Sequence, residues 1–126
     1  MKPWTSPNYE GRSPWTSESW LAGRRLAEQT ARWIEANEGD FLALYAIVKD
    51  IQRSNLQGRL RDRVVTEAMN RGVRFEDKGY MFANGLWAGL TRYMAYFDPS
   101  LIHNPIEFQR SDIDTYGLIP IEVKGV

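Results

Sequence analysis

Apolar residues recur every three or four positions in four separate stretches of this chain, and no other feature limits its fold so tightly. Phe41, Leu44, Tyr45, Val48 and Ile51 share one helical face, and Leu42 and Ile47 make that helix apolar nearly all round in its first half. Leu56, Leu60, Val64 and Ala68 repeat every four residues. Leu86, Leu90, Met94 and Phe97 form a further stripe, widened by Trp87 and Tyr93. Upstream, Trp20, Ala27, Ala31 and Ile34 follow the same spacing, with Leu26 and Trp33 beside them. Four amphipathic helices must bury these stripes against one another, so the fold class is mainly α. The helix over 40–54 reads as the central one.

The boundaries come from caps and breakers. Thr16 or Ser17 caps the first helix, with Glu18 at the positive end of its dipole. Asn37-Glu38-Gly39 ends it, Gly39 supplying the left-handed conformation. Asp40 caps the second helix, over Asp40–Ser54, and Asn55 the third, over Asn55–Arg71, with Gly72 closing it. Asn84 caps the fourth, over Gly85–Phe97, and Asp98-Pro99 stops it. Gly85 and Gly89, four apart, permit a close helix contact at some cost in helix propensity. Between the third and fourth helices, Val73-Arg74-Phe75, a Glu76–Gly79 turn and Tyr80-Met81-Phe82 read as a small β-hairpin. Helix, turn, helix, hairpin, helix gives a winged-helix-like outline with a helix-turn-helix-like pair. Trp20, Leu44, Val48, Ile51, Leu60, Val64, Leu86, Leu90 and Met94 are the expected core.

Two flanks complete the plan. Residues 1–15 form an extended arm, with Pro3, Pro7, Pro14 and Gly11 against helix and the aromatics Trp4, Tyr9 and Trp15 as its contacts, on the domain, on a partner or in a homo-oligomer. Residues 16–126 form a single helical domain, a size that supports one core. Its C-terminal tail holds Pro105 and Pro120, so Ile106–Phe108 and Leu118–Val123 read as extended segments packed over the core, with short strands as the alternative.

Chemistry is bounded by what the residue types allow. No cysteine is present, which removes disulfides, thiolate metal sites and a cysteine nucleophile and suits the cytosol. His103 is the only histidine, so no histidine metal cluster forms. Asp112 and Asp114 lack the spacing of a calcium loop, and Ser111-Asp112 reads as a turn or cap. Phosphate-loop, dinucleotide, nucleophile-elbow and zinc-protease motifs are missing. The expectation is a non-enzymatic, cytoplasmic protein with no cofactor, no metal and no catalytic residue. No apolar run suits a membrane helix, and Met1-Lys2-Pro3-Trp4 lacks the apolar core of a signal peptide.

The charge is uneven although the net charge is zero. Residues 41–74 hold seven basic and three acidic side chains, and residues 98–126 hold two basic and five acidic ones. Arg59, Arg61, Arg63, Arg71 and Arg74 follow closely on Lys49 and Arg53. Arginine's planar fork suits phosphate and guanine edges. The third helix is therefore the candidate surface, with Arg59 and Arg63 entering a groove and Arg53, Arg61, Arg71 and Arg74 supporting them. Two features oppose a standard DNA reader. Arg59 follows Gly58 where an apolar residue is usual, and the hairpin tip Glu76-Asp77-Lys78 is a poor phosphate binder. The expected partner is DNA or, in the rival reading, an acidic protein surface.

Asn84, Leu90-Thr91-Arg92, Pro99, Phe108-Gln109-Arg110-Ser111 and Asp114 together resemble a pattern in small uncharacterised proteins of bacterial prophages and mobile elements. The pattern covers roughly the last third of the chain. It implies no activity. It implies a mobile-element context, and with it a small inhibitor or adaptor of a host protein complex.

Overall fold

The structure is a computed structural model and describes residues 17–54, 58–72, 84–109 and 111–126. The aromatic arm with Trp4, Tyr9 and Trp15, the hairpin expected over 73–82, and Arg74 and Arg110 lie outside these residues. Helices α1 (Ser17–Ala36), α2 (Glu38–Ser54), α3 (Leu60–Asn70) and α4 (Asn84–Phe97) are followed by a 3₁₀ turn (Pro99–Leu101) and a one-turn helix, α5 (Ile113–Tyr116). The mainly α class is thus observed. Among the described residues there is no strand, only an isolated bridge between Ile102 and Ile106. Ile106–Phe108 and Leu118–Val123 form no helix or strand and place Ile106, Phe108 and Leu118 in the core, with Ile119, Ile121 and Val123 packed against it.

The helix boundaries correct three readings. Asn37, not Gly39, separates α1 from α2. Its amide donates to Trp33 O at 2.8 Å and its side-chain Nδ2 donates to the same oxygen at 2.9 Å. Two donors from one residue satisfy an orphan carbonyl at the end of α1, so no left-handed glycine is needed. Gly39 sits inside α2, with Glu38 and Asp40 in the first turn. The third helix starts at Leu60 rather than Asn55. Gly58 has φ 109°, which no helix interior accepts, and Arg59 then occupies the cap position with extended backbone. At the other end Gly72 takes φ 68° and closes α3 as its sequence position implies.

α4 is the most deeply buried of the four long helices, whereas the apolar pattern makes α2 the central one. Leu86 and every residue from Gly89 to Ala95 are buried, including Thr91 and Arg92. α2 buries one face, through Phe41, Leu44, Ile47, Val48 and Ile51. Close approach lets α1 reach α4. A Cβ on Gly89 would fall 2.9 Å from both Cβ and Cγ2 of Thr30, and one on Gly85 3.5 Å from Leu26. The paired glycines therefore do seat a neighbouring helix. Gly23 of α1 performs the same task for α5, since a Cβ there would come 2.8 Å from the Asp112 carbonyl carbon.

Of the expected core, Leu44, Val48, Ile51, Val64, Leu86, Leu90 and Met94 are buried. Leu60 is half-buried. Trp20 is not core: it is 41% exposed, edge-on to Tyr116 at 5.4 Å with Arg24 over its ring. It stands in the first turn of α1, beyond the helices that cover Ala27 to Ile34. The Arg24–Glu28 and Glu28–Arg32 pairs lie at the surface as their spacing implies.

Candidate functional site

The arginines of α2 and α3 do not form one free cationic face. Arg71 donates to Asp50 at 2.7 Å and lies 3.6 Å from Glu67. Arg53 also reaches Asp50, at 3.5 Å, while remaining largely exposed. Lys49 is held by Asp98 at 3.0 Å. Three of the basic side chains of this stretch, Lys49, Arg53 and Arg71, are thus held by acids of α2, of α3 and of the turn after α4. Arg63 folds back along Gly58, and its Nε is buried without a hydrogen-bond acceptor among the described residues. The solvent face of α3 carries Arg59, Asp62, Thr66, Met69 and Asn70, one positive and one negative charge. A row of phosphate contacts needs more cations than that face offers.

Arg59 and Arg61 are placed differently. They line an open groove of about 1280 Å³ between the start of α3, α1, α4 and the 105–112 segment. Half-buried Leu26, Leu60 and Trp87 give it apolar surface, and Gly85 keeps its α4 side low. Arg59 is exposed and has no ion-pair partner among the described residues. Carboxylates enter from the other elements: Glu107 and Asp112 line the same groove. The arrangement offers both signs of charge around an apolar strip. A small-molecule pocket is more enclosed and mostly apolar.

Arg92 also lines this groove, but its donors are spent inside the protein. Nε donates to Asp114 Oδ1 at 2.6 Å, and Nη2 donates to Asp114 Oδ2 at 2.9 Å and to Gln109 O at 2.6 Å. Nη1 donates to Ala88 O at 3.0 Å. The guanidinium carbon stands 5.0 Å from the centre of the Phe108 ring. Both side chains of the ion pair are 2% exposed. Arg92, Phe108, Gln109, Ser111 and Asp114 thus meet around one buried centre or beside it. Asp114 is an ion-pair partner, while Ser111-Asp112 form the turn expected of them, the Asp114 amide donating to Ser111 O at 3.0 Å, and Asp112 sits at the α5 cap position without a side-chain capping bond.

A second polar cluster ties α2 to the turn after α4. Asp98 accepts from Tyr45 at 2.7 Å, Ser100 Oγ at 2.6 Å and Lys49 at 3.0 Å. Burial alone would raise the Asp98 carboxyl, but the bonds from Ser100, Tyr45 and Lys49 and the Lys49 charge outweigh it and hold it well below the usual carboxylate range. Burial, and then the bond to Asp98 and its charge, push the Tyr45 hydroxyl up to about 12. Gln52 closes the turn by donating to Ser100 O at 3.0 Å and to Asn104 O at 2.9 Å. His103 pairs with Glu107 at 2.9 Å, both exposed, so this histidine is engaged at the surface. Among the described residues no group of three potential metal-ligating side chains converges, and no helix is long and apolar enough to cross a membrane.

No protein-family model, curated protein or solved structure matches the chain.

Proposed function

We propose that this protein is a non-enzymatic interaction module that takes an acidic segment of another polypeptide into the groove beside α3. The observation that carries this reading is Arg59, exposed and without an ion-pair partner among the described residues, on a groove that also presents Leu26, Leu60 and Trp87. An arginine fork binds a carboxylate in two places, and apolar and aromatic surface beside it supplies the anchor that most interfaces depend on. Glu107 and Asp112 in the same groove would repel a polyanion but accept a peptide of mixed charge. The prophage and mobile-element resemblance fits such a role, a small cytoplasmic inhibitor or adaptor of a host protein complex. Self-association through the 1–15 arm is a separate proposal, outside the described residues.

Nucleic-acid binding is the second reading. It is favoured by Arg59 and Arg61 standing together at the start of α3, where Arg59 makes no side-chain capping bond. The two readings part under selection. A random-peptide library displayed on phage and panned on the wild type should yield sequences that join a carboxylate and an apolar residue without a run of acids, and Arg59→Ala with Arg61→Ala should not retain them. Random-sequence duplex DNA, titrated at low salt, should bind weakly. Arginine-dependent DNA binding that falls steeply with salt would support the second reading, with a log–log slope of about −4 for four or five phosphate contacts.

A further inference from the structure

We propose that the buried Arg92–Asp114 pair is a positioning device for the groove wall rather than a source of stability; this rests on reading the groove as the binding surface. Two charges at 2% exposure are expensive to remove from water, and replacing such a pair by apolar residues of similar size is often neutral or stabilising. Net stability is therefore a poor reason for the pair.

Its hydrogen bonds supply another reason. The wall from Glu107 to Asp112 has no strand pairing among the described residues and leads into a helix of one turn. It is tied to the pair at three places. Gln109 O accepts from Arg92 Nη2, Phe108 lies under the guanidinium, and the Ser111 amide donates to Asp114 Oδ2 at 3.3 Å. Phe108, Gln109 and Ser111 are all groove residues. Arginine's fork is rigid and planar, so one side chain fixes the ring and the Gln109 carbonyl relative to Ala88 of α4. Leu26 and Trp87 are carried by helices that need no such tie. The stretch through Phe108 and Gln109, which brings Glu107 to the groove, depends on it most, because Asp112 is also seated against Gly23 of α1.

Two variants test this. In Arg92→Met with Asp114→Leu, both charges leave and volume is roughly kept. In Arg92→Lys, the charge facing Asp114 stays but the fork is lost. Amide hydrogen exchange is followed by NMR at the wall's bonded amides, those of position 114 and Thr115, which donate to Ser111 O and Asp112 O, with α2 amides as the internal reference, beside the thermal midpoint. The expected result for both variants is a midpoint within a few degrees of wild type and wall amides exchanging about tenfold faster, with α2 unchanged. Unchanged wall exchange in either variant overturns the proposal. So does a rise in exchange across all helices in both variants with a fallen midpoint, since the pair would then hold the fold itself. The groove reading fails separately: a peptide selection that recovers nothing would remove the binding partner without altering the exchange result.

Discussion

Gly89→Ala should destabilise the protein although it replaces glycine inside a helix. At an open helical site that exchange stabilises by about 0.5–1 kcal/mol, through helix propensity and a less flexible unfolded chain. At position 89 the new methyl would lie 2.9 Å from Cβ and Cγ2 of Thr30, and nearer still to its Oγ1. Thr30 Cβ is fixed to the α1 backbone and cannot swing aside, and its Oγ1 is engaged with Leu26 O at 2.8 Å. Relief therefore requires α1 to move away from α4, which loosens Ala27, Ala31 and Ile34 as well. Overpacking of this kind costs about 1–3 kcal/mol. The rigid neighbour places it near the upper end, and the propensity gain leaves a net loss of about 2 kcal/mol. Urea unfolding followed by circular dichroism measures it. Two controls isolate the cause. Gly39→Ala, in α2 with nothing within 4 Å of the new methyl, should be neutral or stabilising. Thr30→Gly with Gly89→Ala should recover part of the loss, with a coupling of about 1–3 kcal/mol. A Gly89→Ala protein as stable as Gly39→Ala would refute the close approach of α1 and α4.

Other outcomes follow from the same geometry. Arg92→Met alone strands the Asp114 carboxylate in the core and should cost about 3–5 kcal/mol in urea unfolding, far more than the paired replacement. Asp98 has a folded pKa below its unfolded value, so its contribution is present above about pH 4 and is lost as pH falls through the folded value. Asp98→Asn should therefore lower stability at pH 7 by about 1–3 kcal/mol and reduce the dependence of stability on pH below 4. Val48→Ala, fully buried on α2, should cost about 2–4 kcal/mol, whereas exposed Trp20→Ala should cost about 1 kcal/mol or less.

The apolar stripes made the four helices legible, because burial of one face leaves a period that a single sequence displays. The Gly85–Gly89 spacing likewise announced a close helix contact. The deep burial of α4 was not legible. Thr91 and Arg92 interrupt its stripe, and a polar residue in a helical pattern reads as surface unless its buried partner is known. That partner, Asp114, lies 22 residues away in a segment without periodicity. The late start of α3 was hidden in Gly58, since a glycine does not reveal from sequence alone whether its φ is positive. The arginine row was visible as charge, but the pairing of Arg53 and Arg71 with Asp50 and Glu67 depends on how α2 and α3 pack. The groove itself is assembled from four elements and has no linear signature.

The most direct test of the groove is an amide chemical-shift map recorded while a peptide from the display selection is titrated in. The account predicts shifts concentrated at Leu60, Arg61, Gly85, Trp87 and Gln109, which lie on three different elements, with Arg59→Ala weakening the titration. Shifts confined to Asp62, Thr66, Met69 and Asn70 on the solvent face of α3 would contradict it and return the interface to the exposed side of that helix.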